Sequence, residues 1–250
     1  NAWMTSTQGD APTDRVPDTI EFRFKAADGG DQVLVRRDGD WAIRLKDNGS
    51  TDRYGHVSFM LSGSHGYNEV SSSELPVYDG DFWSVMLTRT TKSGGVLSSD
   101  TGSQDVNYTL HTKQYDSGRS KIIYESEEVL LISGSMSSGT TITIGGPEEN
   151  TYFGESFSGS MMEFRNWTTP LGETSFDNHV AAPIAFDGNS PSASYLDLVT
   201  RFSFDDDKDL SVGANQWFQD ASADQTYTSS AEPHNYTSGM GNHFSSVVDE

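Results

Sequence analysis

Ile20-Glu21-Phe22-Arg23-Phe24-Lys25-Ala26 sets an apolar side chain at every second position and a charged one at each position between. That period of two belongs to an extended strand with one buried face, because successive side chains of a strand point to opposite sides. Asp28-Gly29-Gly30-Asp31 follows as turn chemistry, and 32–37 is the next β-rich run, so a hairpin is expected. Beyond Asp38-Gly39-Asp40 the alternation resumes at Trp41, Ile43 and Leu45, breaks at Asp47-Asn48-Gly49-Ser50, and restarts at Val57, Phe59 and Leu61. Strands and turn clusters recurring every ~8–12 residues predict an antiparallel meander in a sandwich or barrel, not βαβ units.

The same reading predicts strands at 81–88, 106–113, 121–125, 129–132, 140–144 and 161–167. The Ser- and Gly-rich stretches 63–73 and 91–105 are expected as exposed loops. One helix is predicted between Glu173 and Ala182, with Leu171, Phe176 and Val180 toward a core and Pro183 stopping it. The expected fold is therefore all-β, an antiparallel β-sandwich whose core holds Phe22, Phe24, Ile43, Phe59, Val85, Ile144 and Phe164. Residues 1–18 read as an arm, 19–183 as the sandwich and 184–194 as a linker. Residues 195–250 read as a partly extended C-terminal β segment that starts a further domain, with alternation at Leu198, Thr200, Phe202 and Phe204.

Composition narrows the function classes. The chain has 250 residues, 16 Lys and Arg against 37 Asp and Glu, and a formal charge of −21. Such a surface repels phosphate backbones and removes the electrostatic attraction on which nucleic-acid binding rests, so nucleic acid is excluded as a partner. No apolar run reaches the ~18 residues of a membrane span, and a membrane partner is not expected either. With no Cys, disulfides and thiolate chemistry are excluded. A hydrophobic share of 34% is low, but 13 Phe, 10 Tyr and 5 Trp supply enough area for a core. A start at Asn1 without Met leads to the expectation of processing or excision from a longer chain.

Tyr78-Asp79-Gly80-Asp81-Phe82-Trp83-Ser84-Val85-Met86-Leu87-Thr88-Arg89 resembles the "D-G-x-W-h-x-V-h-h-x-R" strand of laminin G-like domains, members of the concanavalin A-like lectin/glucanase superfamily. Ile142-Thr143-Ile144-Gly145-Gly146 resembles that family's "h-x-I-G-G" strand end. Phe157-Ser158-Gly159-Ser160-Met161-Met162-Glu163-Phe164-Arg165-Asn166-Trp167 is similar to its final strand. The resemblance spans roughly 17–183 and implies a jelly roll. A narrower likeness covers 171–206 and the ending at 241–250, which resemble segments of large virion proteins of tailed phages infecting marine cyanobacteria. It implies a non-enzymatic virion protein, assembled in the host cytoplasm, homo-oligomeric, with a lectin-like module for packing against other virion subunits or for contact with cell-surface glycans. A free carbohydrate-binding lectin and a glycoside hydrolase are the alternatives within the superfamily.

Glu163 and Arg165, two apart on one strand face, read either as a sugar-contacting pair or as an ordinary ion pair, and the second is favoured because such pairs are common. Trp41, Trp83 and Trp167 read as core rather than as stacking platforms. Asp38, Asp40, Asp79 and Asp81 are the candidate Ca²⁺ ligands, since some laminin G-like domains hold the ion on loops, although two carboxylates in a turn do not define its shell of six or more oxygens. No cofactor is otherwise expected. The six His show no zinc-binding spacing, and His179 reads as a cap or packing residue. No strand carries the E-x-D-x-E pattern of retaining glycosidases, which need carboxyls ~5–5.5 Å apart; Glu125, Glu127 and Glu128 read as a charged edge.

Overall fold

The structure, a computed structural model, describes residues 18–37, 41–49, 53–63, 66–92, 104–134, 142–145, 155–190 and 197–202. These form β1 (Thr19–Ala26), β2 (Gln32–Arg37), β3 (Trp41–Asp47), β4 (Gly55–Gly63), β5 (Gly66–Ser71), β6 (Trp83–Thr91) and β7 (Gln104–Asp116). They continue through β8 (Lys121–Gly134), β9 (Ile142–Ile144), β10 (Glu155–Ser156), β11 (Gly159–Trp167), α1 (Glu173–Ala181) and β12 (Leu198–Phe202). The chain is an all-β sandwich of two sheets. One has the order β12-β11-β1-β6-β7-β8, and the other runs β10-β2-β3-β4-β5 with β9 also on β2. Pairing is antiparallel apart from the two-residue β10, which lies parallel to β2.

The alternating apolar residues meet between the sheets. Phe22, Phe24, Ile43, Phe59, Val85, Ile144 and Phe164 all lie in one core, where Trp41, Trp83 and Tyr108 are also buried. Phe22 stacks on Phe164, which stacks on Phe202, so three neighbouring strands are tied by aromatic pairs at centroid spacings of 6.4 and 6.5 Å. The β2–β3 register shifts between Val33 and Val35, and this bulge is why both Leu34 and Val35 reach the core.

Several expectations need correction. Strands β1 and β2 do not form a hairpin. Both edges of β1 are taken by β11 and β6, so residues 27–31 carry the chain from one sheet to the other. Gln32 fixes that crossing, its amide donating to the Asp28 and Gly29 carbonyls while its oxygen accepts from Ser158 N–H. Within the stretch expected as the 63–73 loop, β5 pairs with β4, and Glu69 on it accepts from Arg44 and Lys46. The two predicted strands at 121–125 and 129–132 are one strand, in which Glu127, between them, opposes His111 and Glu125 opposes Lys113 across the ladder. Residues 93–103 of the other expected loop lie outside the described residues.

At the ends, Asp18 is not part of a solvated arm. It is buried, accepts from Arg89 Nε and Nη2 at 3.1 and 3.0 Å, and starts the sandwich. Leu198–Phe202, read as opening a C-terminal segment, is the edge strand beside β11. Residues 1–17 and 203–250 lie outside the described residues.

Gly159 is fixed by space and by φ +153: a Cβ there would sit 2.1 Å from the Lys25 carbonyl oxygen, so no other residue fits where β11 meets β1.

Candidate functional site

The face of the β12-β11-β1-β6-β7-β8 sheet that points away from the core carries Glu21 and Arg23 on β1, Ser84 and Met86 on β6, His111 and Lys113 on β7, and Glu163, Arg165 and Trp167 on β11. Helix α1 lies across it. Met86, Trp167, Leu171, Phe176, Val180 and Leu198 form a second, smaller core beneath the helix. The helix starts at Gly172, which brings no side-chain cap of its own. Asn189 supplies one from 17 residues away, its oxygen accepting from Gly172 N–H at 2.6 Å while its amide donates to the Pro170 carbonyl at 2.8 Å. Ser175 donates to the Gly188 carbonyl, so Asp187-Gly188-Asn189, expected as linker chemistry, clamps the helix start.

Beneath the helix the charged residues close on one another. Arg165 Nη1 donates to Glu21 at 3.0 Å, Nε and Nη2 donate to Glu163 at 3.1 and 2.5 Å, and Nη2 also donates to the Pro183 carbonyl. Arg201, from β12, adds a two-point contact to Glu163 with both bonds at 2.8 Å. Glu21 accepts further from Trp167 Nε1 at 3.0 Å and His179 Nδ1 at 2.9 Å. His179 stacks flat on Trp167, 5.8 Å between centroids. Glu21, Glu163, Arg165 and His179 are at most 3% exposed. Burial by itself would raise the Glu21 pKa, but the Arg165 and His179 charges and hydrogen bonds outweigh it and hold it down at about 2. Glu21 is thus an ionised, fully engaged acceptor and cannot serve as a general acid.

Glu163 sits at a break in the β1–β11 register with φ 55, a left-handed conformation that non-glycine residues adopt at a cost. Its ion pairs to Arg165 and Arg201 hold it there. The cavity beside the network, lined by Glu21, Arg23, Ser84, Glu163, Phe176 and His179 among others, has a volume of about 10 Å³, space for one water. No known family model matches this chain, and no curated protein matches it either.

A second charged cluster lies at the other end of α1. Lys113 Nζ is 2.6 Å from Glu173 Oε1 and 2.7 Å from Asp177 Oδ1, one helical turn apart, and its charge lies 6.0 Å from the Phe176 ring. Burial would lower the Lys113 pKa, yet the hydrogen bonds and charges of Asp177 and Glu173 raise it above the ordinary lysine value. Beside it, burial lowers the His111 pKa below the ordinary histidine value. His111, Glu127 and Glu173 each present a donor atom within 4.8 Å of the others.

The candidate residues fall out as follows. Asp38 and Asp40 lie outside the described residues. Asp79 Oδ1 accepts from Asp81 N–H and Trp83 Nε1, and Oδ2 accepts from Gln114 Nε2, so its oxygens face donors that a cation would have to displace. Asp81 is exposed in that turn. Trp41, Trp83 and Trp167 are all buried. Glu163 and Arg165 form an ion pair inside the fold rather than on a sugar-facing surface. Sequence reading missed Glu21 and Arg201 as members of that network, and missed His111 with Glu173. Glu21 and Arg201 carried only the signal of the polar phase of a strand, which reads as solvent-facing.

Proposed function

We propose that this chain is a non-catalytic laminin G-like module of a tailed-phage virion, a concanavalin A-like jelly roll whose outer surfaces serve packing against neighbouring subunits or contact with host-surface glycans. Two kinds of observation support it. The resemblance of 78–89, 142–146, 157–167 and 171–206 gives the class of protein. The commitment of the acid, guanidinium and indole groups of those segments to the interior gives the mode of action. The observation that carries the reading is the buried network of Glu21, Glu163, Arg165, Arg201 and His179, in which every oxygen of the two carboxylates accepts a hydrogen bond from within the fold. Glycosidic cleavage asks for one carboxyl held protonated and a partner open to the sugar. A carboxylate locked between an arginine and a histidine meets neither demand.

Immunogold labelling of purified particles, with antibodies raised against this chain, tests the proposal. Label on the tail is the expected result. Unlabelled particles, with the protein free in the lysate and retained on a glycan column, would instead establish a free lectin. Hydrolysis of β-glucans or agar-like polymers that a single Glu→Gln change abolishes would establish a hydrolase.

A further inference from the structure

His111 is held rigidly on β7. Its side chain is 8% exposed, packed near Phe176, and its Nδ1 is a buried nitrogen with no hydrogen-bond partner. A buried imidazole nitrogen left without a partner costs stability unless something binds it. The nearest acidic atom, Glu127 Oε2 on β8, is 3.7 Å away, too far for a hydrogen bond. Glu173, on the first turn of α1, completes the triad, with all three donor atoms within 4.8 Å of each other. Lys113 engages Oε1 of Glu173 and leaves its Oε2 for another ligand.

We propose that His111, Glu127 and Glu173 bind a borderline divalent transition ion, Zn²⁺ being the reference case, that clamps α1 onto the β7–β8 hairpin. An ion about 2.1 Å from each ligand holds its donors about 3–3.5 Å apart, so the cluster is slightly open. The side chains of Glu127 and Glu173 are both 53% exposed; Glu127 can swing to close that gap, Glu173 turns its Oε2 inward while Lys113 keeps Oε1, and His111 is the fixed anchor. Charge favours a cation: three carboxylates, Glu125, Glu173 and Asp177, face the single ammonium of Lys113, and a fourth, Glu127, faces His111. One imidazole nitrogen with two carboxylates suits Zn²⁺, Co²⁺ or Mn²⁺, while Ca²⁺ and Mg²⁺ take shells of oxygen alone. Three protein ligands leave coordination open to water.

The test is calorimetric titration of the chelator-stripped full chain with ZnCl₂, with CoCl₂ absorption as a readout of the ligand sphere. One saturable Zn²⁺ site, not displaced by equal MgCl₂ or CaCl₂, is expected, together with a rise in Tm on loading. His111→Ala and Glu127→Gln should each weaken binding by about tenfold or more, since even residues behind the ligands contribute about that much. Glu128→Gln, whose side chain occupies the opposite face of β8, should bind as the native chain does. If His111→Ala fails to fold by circular dichroism, the half-exposed Glu127→Gln carries the test. Absence of saturable Zn²⁺ binding, or binding that survives substitution at either ligand in a folded variant, overturns the proposal.

Discussion

Beneath α1, the outer face of the β12-β11-β1-β6-β7-β8 sheet is as dry as its inner face and is built on the opposite principle. On β1, Phe22 and Glu21 are neighbours with 1% and 2% exposure, one turned into the inter-sheet core and the other under α1. The inner face gains from apolar area removed from water and tolerates adjustment of its packing. The helix-covered face gains only while each charge keeps its partners, because a buried charge that loses one is left with its full desolvation cost. Alternation along a strand therefore reports the chemistry of its two faces, not which of them is wet.

If that comparison holds, removing a charge from the helix-covered face should cost as much as truncating an aromatic in the core. Arg165→Ala leaves Glu21 and Glu163 buried without their shared cation, and urea denaturation should show a loss of about 3–5 kcal/mol. Phe22→Ala on the inner face should lose a similar amount. A loss under about 1 kcal/mol for Arg165→Ala would mean that water reaches the network.

Acid should separate the faces. The Glu21 pKa is about 2 in the folded chain and near 4.5 when unfolded, so the unfolded state takes up the proton first. Its contribution is complete above about pH 4.5 and disappears as pH falls toward 2, with a slope of at most about 1.4 kcal/mol per pH unit. Denaturation series between pH 5 and 3 should show Glu21→Gln with a shallower slope than the native chain. Phe22→Leu should lower stability by the same amount at each pH.

Smaller effects sharpen the picture. Asn189→Ala removes the distant cap from Gly172 and should cost about 1 kcal/mol, appearing as faster amide exchange in α1 with the strands unchanged. Ser120, in the β7–β8 turn with φ 52, belongs to neither face. Ser120→Gly should raise stability by about 0.5–1 kcal/mol in thermal denaturation, leaving metal binding and acid slope as they were.

The inner face was legible because its period of two survives in the sequence: Phe22, Phe24, Ile43, Phe59, Val85 and Phe164 all met in the core. The helix was legible from Phe176 and Val180 together with Pro183. Pairing was not. Asp28-Gly29-Gly30-Asp31 looks like a hairpin turn, yet β1 finds both partners far along the chain, and local turn chemistry carries no signal of that. The polar faces stayed hidden for a similar reason. Counting outward from the β7–β8 turn would pair His111 with Glu127 only if one knew that the register slips between Gln114 and Tyr115. Glu163 in a left-handed conformation is equally invisible, since such bulges ordinarily use glycine.

Native-state hydrogen exchange of the amides in α1 tests the central claim, that this face of the sheet is closed by its own helix. A nine-residue helix is not stable in water by itself, so slow exchange there reports docking of Phe176 and Val180 beside Trp167 and of His179 onto the ion network. The account predicts protection of the hydrogen-bonded amides from Phe176 to Ala182 by at least about a hundredfold, falling sharply in Arg165→Ala. Exchange of these amides at unprotected rates in the native chain would contradict it, leaving the helix-covered face open to solvent and to ligands.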